Sequence, residues 1–220
     1  MRVRIPMAGI CTLLAGNLAA QTMVPVSQSR TVRADAFNYN WPPPWTATQS
    51  ASAPDFNLFS ETVSVAVGPG SAAASQTSEL LTTLVTATGS ARNSASSFDN
   101  GGSASSVLSF VFQLDQAAPF SLAGRLFTDN FFGAGAAQST VSLSGVFSDS
   151  CTGFQERPYL TSGILAPGVY TLAISSQSSS PPGIGGTTAS YELNFSLTPE
   201  PSNFAGLALL IGISHRRRRH

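Results

Sequence analysis

Lysine is absent from the 220-residue chain, histidine occurs only at His215 and His220, and cysteine occurs only at Cys11 and Cys151. These shortages exclude whole classes of chemistry. With no histidine before position 215, the body of the chain cannot assemble a Ser-His-Asp or Cys-His nucleophile pair or a His-based zinc site. One thiol there cannot make a cysteine cluster either. The glycine clusters carry no lysine and do not lead from a strand into a helix, so phosphate-binding loops are excluded too. Carboxylates, tyrosines and hydroxyls remain as candidate catalysts, and the residues call for no cofactor.

Charge is also scarce, at 10% of residues against roughly a quarter in a typical soluble domain. What charge there is separates by region. Arg2, Arg4 and Arg216 to Arg219 account for six of the eleven cations. Between residues 23 and 198, Arg30, Arg33, Arg92, Arg125 and Arg157 face ten acids, a balance of about −5. A nucleic-acid surface needs clustered cations, so nucleic acid is not a partner.

The ends read as targeting segments. Residues 1 to 20 hold two arginines, an apolar stretch from about Met7 to Leu18, and then Ala19 and Ala20 before Gln21. This is the pattern of a secretory signal peptide, handled by the Sec translocon and signal peptidase, with cleavage expected after Ala20. At the other end Pro199-Glu200-Pro201 precedes the apolar run Phe204 to Ile213, and Arg216, Arg217, Arg218 and Arg219 close the chain as a basic cytoplasmic stop. Ten apolar residues reach only about 15 Å as a helix, half of the roughly 30 Å hydrocarbon core of a bilayer. Such a tail tethers a chain transiently, with its arginines inside and the body of the chain outside.

This three-part tail resembles the PEP-CTERM sorting signal of exported proteins in Gram-negative, exopolysaccharide-producing bacteria, with an apolar run shorter than is usual there. The resemblance covers residues 199–219 and implies recognition by a membrane-embedded exosortase, which cleaves near Pro199, Glu200 and Pro201. It also implies an envelope or biofilm context, with transient tethering at the inner membrane followed by the cell surface or the extracellular space. The segment from Gly163 to Ser180 and that from Ala189 to Pro201 are similar to the terminal hairpin of such proteins, through Tyr170, Leu172, Tyr191, Leu193 and Phe195.

Between the ends, hydrophobicity alternates with period two. Thr62 to Val67, Leu80 to Val85, Val107 to Leu114, Phe120 to Phe127, Thr140 to Phe147, Val169 to Ile174 and Tyr191 to Leu197 are predicted strands. Turn signals stand between them at Gly68-Pro69-Gly70, Asp99-Asn100-Gly101-Gly102, Gly133-Ala134-Gly135, Pro167-Gly168 and Pro181-Pro182-Gly183. No capped three-and-four apolar periodicity runs long enough for a helix. The expectation is a single all-β domain, an antiparallel β-sandwich or jelly-roll-like fold, flanked by an N-terminal signal helix and a short C-terminal hydrophobic helix. Its divisions are a signal peptide over 1–20, an extended Pro-rich arm over 21–54 that could also serve as a partner strand, the sandwich over 55–198 and the sorting signal over 199–220. The predicted core contains Val63, Val65, Val67, Leu108, Phe110, Phe112, Leu122, Leu126, Val141, Leu143, Tyr170, Leu172, Ile174, Leu193, Phe195 and Leu197. Val111 breaks the alternation, as a strand covered on both faces would.

Few residues carry a candidate site. Trp41 and Trp45 bracket three prolines in a polyproline II-like stretch. Exposed, they would stack on sugars or on a partner; buried, they would pin the arm onto the body, the commoner fate for such a pair. At three residues per turn, positions four apart do not share a face. Phe98 to Gly102 lacks the alternating oxygen ligands of a calcium loop and reads as a turn, so no metal site is expected. Cys151 is expected to be buried as a small hydrophobe.

The function these readings favour is an exported, non-enzymatic protein of the cell surface or exopolysaccharide matrix. Two rivals stand beside it. A secreted carbohydrate-binding module needs a solvent-facing aromatic patch, with Trp41, Trp45 or Tyr39 among its members. A carboxylate-dependent polysaccharide hydrolase needs acids that converge in one cleft.

Overall fold

A computed structural model describes residues 21–39, 45–131 and 135–198. The expected signal helix, Trp41, the Pro199-Glu200-Pro201 motif, the C-terminal apolar helix and Arg216 to Arg219 lie outside the described residues.

Twelve strands account for most of this length: β1 (Val24–Asn38), β2 (Trp45–Ser52), β3 (Phe59–Val67), β4 (Gly70–Leu80), β5 (Leu84–Ser97) and β6 (Asn100–Leu114), then β7 (Ala118–Phe131), β8 (Ala136–Leu143), β9 (Phe147–Thr152), β10 (Gln155–Leu165), β11 (Gly168–Ser180) and β12 (Gly183–Leu197). They form two six-stranded sheets, ordered β2-β1-β6-β11-β8-β9 and β10-β7-β12-β5-β4-β3, called here the first and second sheet. Among the described residues no helix is long and apolar enough to cross a membrane.

The connectivity is that of a rolled hairpin. β5 pairs with β12, β6 with β11, β7 with β10 and β8 with β9, all antiparallel. Rolling that eight-stranded ribbon adds the pairs β12 with β7 and β11 with β8. This is a jelly roll, and the expected fold class is what the structure contains. The four N-terminal strands widen it: β1 lies between β6 and β2, and β4 lies between β5 and β3.

That widening takes the segment expected as an arm or partner strand into the first sheet. β1 pairs with β6 from Val24 to Asn38, so it is an inner strand of the first sheet. Its side chains explain why. Val32, Ala34 and Ala36 face inward and are buried, while Thr31, Arg33 and Asp35 face out. Without β1, the long β6 would present its backbone groups at an open edge. The body of the protein therefore begins near residue 21, and the boundary expected at 55 falls in a turn.

Two predicted strands also divide differently. Leu80 to Val85 is the turn between β4 and β5, closed by the Leu81 N–H donating to the Leu84 carbonyl at 2.8 Å. Thr140 to Phe147 contains the turn between β8 and β9, where Gly145 has φ 71°, the left-handed region that favours glycine. Val111 lies on the outer face of the first sheet between Ser27 and Thr171, half-buried by its neighbours, so β6 alternates normally.

The interior holds two apolar clusters. The larger, inside the jelly roll, packs Phe110, Phe112, Phe120, Leu122 and Phe195 with the leucines of β7, β11 and β12. Phe112 lies 5.5 Å, ring centroid to centroid, from both Phe110 and Phe195. Of the predicted core, Val65 and Tyr170 are half-buried and the rest are buried. The second cluster lies under the N-terminal strands and is built from small groups: Val32, Ala34, Ala72, Ala74, Ala91 and Ala104 around Phe59 and Val63.

Polar bonds tie one sheet to the other. Asn93 of β5 donates through Nδ2 to the hydroxyls of Ser178 (2.6 Å) on β11 and Thr187 (2.8 Å) on β12. The Ser139 hydroxyl on β8 lies 3.1 and 3.0 Å from the Phe127 and Ser190 carbonyls of the second sheet. Arg30, only 1% exposed, donates to the Ser78 carbonyl at 3.2 Å and the Asp55 carbonyl, and lies over the Phe59 ring. Burial lowers its pKa, a shift that nearby Asp55 opposes.

Candidate functional site

The strand registers gather several turns at one end of the sandwich. Asn38 is opposite Asn100, Ser180 is opposite Gly102 and Val67 is opposite Gly70, so the end of β1 and the turns after β3, β5 and β11 share that end. Trp45 opens β2 there, directly opposite Asn38. The residue is 61% exposed. A pocket of about 200 Å³ lies between the sheets at this mouth, lined by Asn38 and Trp45 from the first sheet and Val67 and Gly68 from the second. Burial as a pin, the expected fate of the pair, is therefore not the state of Trp45.

Gly68, which lines the pocket, lies against two asparagines. Gly68 has φ 57°, and a Cβ placed on it would come within 2.9 Å of Asn38 Nδ2 and 3.7 Å of Asn100 Oδ1. Asn100 is 1% exposed, donates through Nδ2 to the Ser97 hydroxyl, and leaves Oδ1 without a hydrogen-bond partner among the described residues. A glycine is required here for two reasons, its backbone angle and the amides packed against it.

A second candidate is the outer face of the second sheet. Register aligns Thr77, Thr88, Glu192 and Arg125 in one row across β4, β5, β12 and β7. Shallow depressions of about 360 and 220 Å³ lie on either side of it. The face is knitted by cross-strand hydroxyl bonds, Ser75 to Ser90 at 2.8 Å and Ser60 to Thr77 at 3.1 Å. Arg125 binds Glu156 at 3.1 Å and also Glu192, which with Glu156 raises the pKa of the guanidinium. These two acids converge on a cation across an open, half-exposed face, which is not the enclosed cleft that hydrolysis by a carboxyl pair needs. Among the described residues no three His, Cys, Asp or Glu side chains come together as a metal site.

The remaining sequence-derived candidates have plain structural positions. Phe98 and Asp99 form the turn between β5 and β6. Cys151 is buried in the larger core, 3.3 Å from the Thr128 hydroxyl and 3.4 Å from the Gln155 carbonyl. Sequence reasoning missed Asn38, Val67 and Gly68 as pocket residues, and Arg125, Glu156 and Glu192 as a cluster. No local signal marks either group, because each is assembled by strand pairings far apart along the chain.

No protein-family model and no curated protein matches this chain. Among solved structures it is similar to the enzymatically active domain of tailspike protein 4 from bacteriophage CBA120, at 14% identity and a TM-score of 0.22. The similar region covers 58% of this chain but only 19% of the tailspike, a likeness too slight to support any argument about function.

Proposed function

We propose that the chain is an exported, non-enzymatic protein of the cell surface or extracellular matrix, sorted through Pro199-Glu200-Pro201 by an exosortase in an exopolysaccharide-rich envelope. One observation carries this reading. Both ends of the folded body leave at the same place: the Met23 N–H donates to the Thr82 carbonyl (2.6 Å) and the Leu197 N–H to the Thr83 carbonyl (2.9 Å). Thr198 is still held, its N–H donating to the Pro119 carbonyl at 3.0 Å. The folded body thus runs flush to the expected signal-peptide cleavage point and to the sorting motif, which suits a module trimmed at both ends after export.

Intact-mass analysis of the protein released by its native host tests the proposal. The expected species begins near Gln21 and ends between Pro199 and Pro201. A released species that still carries Arg216 to Arg219 overturns the sorting reading. The second reading, a secreted carbohydrate-binding module, is favoured by the exposed indole of Trp45 beside a pocket.

A further inference from the structure

We infer that the free edge of β10 pairs with the β10 of a second copy of this chain, antiparallel about a two-fold axis at Ser162, so that two second sheets join into one. β10 is the outermost strand of the second sheet and pairs with β7 alone among the described residues. One bond fixes which way its backbone faces. The Thr198 N–H donates to the Pro119 carbonyl at 3.0 Å, so Pro119 is turned toward β12 and away from Ile164, its partner on β10. Ile164 thus stands in a non-hydrogen-bonded pair, with its own N–H and carbonyl pointing out of the sheet edge. The same holds at every second residue, so Leu160, Ser162 and Ile164 all offer backbone groups to a further strand. Their side chains stand on the outer face, where Leu160 is 76% and Ile164 74% exposed.

Natural sheets blunt such edges with charge, proline or a covering element. Here that protection stops at Pro158. Just before it, Arg157 is tied to β9, 3.2 Å from Asp149 and donating to the Ser150 carbonyl at 3.0 Å. From Tyr159 to Leu165 no residue is charged, in a body whose balance is about −5, so an identical copy brings no like charge to the seam. The same residues decide the register. Centred on Ser162, the pairing sets Leu160 opposite the partner's Ile164 twice over and makes roughly six backbone hydrogen bonds, with Pro158 beyond the seam. Centred on Thr161, it sets Ile164 opposite the partner's Pro158, which has no N–H to give. At the other edge of the sheet the Ser64 N–H of β3 already donates to the Gln49 side chain of β2 at 3.1 Å, so association ends at two copies. A seam of one short strand lies at the low end of interface sizes, which makes the dimer reversible and dependent on concentration.

Sedimentation velocity of the protein purified from its native host, at concentrations up to about 1 mM, is expected to show a reversible monomer–dimer equilibrium. Leu160→Lys combined with Ile164→Lys should raise the dimer Kd at least tenfold. Ser162→Pro, which deletes a donor that faces away from β7, should do the same. Because Leu160 and Ile164 are exposed, circular dichroism and the thermal midpoint of the dilute lysine variant should match the parent. Ser162→Cys treated with a short bismaleimide should give a covalent dimer, whereas Leu58→Cys, similarly exposed beside β3 at the opposite edge, should not. The parent, whose Cys151 is buried, serves as the blank. A parent that stays monomeric throughout overturns the proposal, as does a dimer whose affinity the lysines leave unchanged. Growth past two copies, or cross-linking through Leu58→Cys and not through Ser162→Cys, overturns the two-fold seam.

Discussion

Tyr191 of one sheet and Ser106 of the other meet hydroxyl to hydroxyl at 3.1 Å in the middle of the sandwich. Gly89 lies against that ring, and a Cβ on it would overlap both the phenol and the Ser106 hydroxyl. The missing side chain on β5 is what lets the phenol reach across. Tyr191→Phe should cost about 1 kcal/mol, the net worth of one buried hydrogen bond. Gly89→Ala should cost about 3 kcal/mol through overpacking. In a Tyr191→Leu background the Gly89→Ala cost should shrink, and urea unfolding of the four proteins measures that coupling. Strictly additive costs would show that the two positions do not share this space.

The buried phenols set an alkaline limit. Burial holds both Tyr159 and Tyr191 well above the ordinary tyrosine pKa of about 10. The folded state keeps these protons where unfolded phenols lose them. Stability from the two residues is therefore intact below about pH 10 and declines as pH rises beyond it. Absorbance of the corresponding phenolates should grow only as the strand circular dichroism signal collapses. Ionisation of both with the fold intact would contradict the burial argument.

Arg30 locks β1 to the turn before β3 and to β4. Replacing it with alanine strips partners from the Ser78 and Asp55 carbonyls and removes the cation from the Phe59 ring. The expected loss is about 3 kcal/mol. For a body of this size that corresponds to a fall of roughly 6–12 °C in thermal midpoint, read by calorimetry. Arg33→Ala, on the exposed outer face of the same strand, should shift the midpoint far less, because its ion pair with Asp35 is open to water.

The all-β class was legible from the sequence because its strongest strands alternate large apolar groups with serine and threonine. Leu108, Phe110 and Phe112, or Leu193, Phe195 and Leu197, show their inward face without any knowledge of partners. The scarcity of histidine, lysine and cysteine equally determined which catalytic chemistries the body lacks, since composition does not depend on folding. β4 and β5 were illegible for the opposite reason. Their inward positions hold Ala72, Ala74, Gln76 and Ser78, then Ala87, Gly89, Ala91 and Asn93, which differ little in hydrophobicity from their outward serines. Only the facing sheet explains why they are small and why Asn93 is satisfied there, through Ser178 and Thr187. Tertiary structure alone decided that β1 is an inner strand, that Met23 and Leu197 meet beside Thr82 and Thr83, and that Trp45 is exposed opposite Asn38. Each of these follows from pairings between residues dozens of positions apart, and local pattern carries no information about which distant strand completes a sheet.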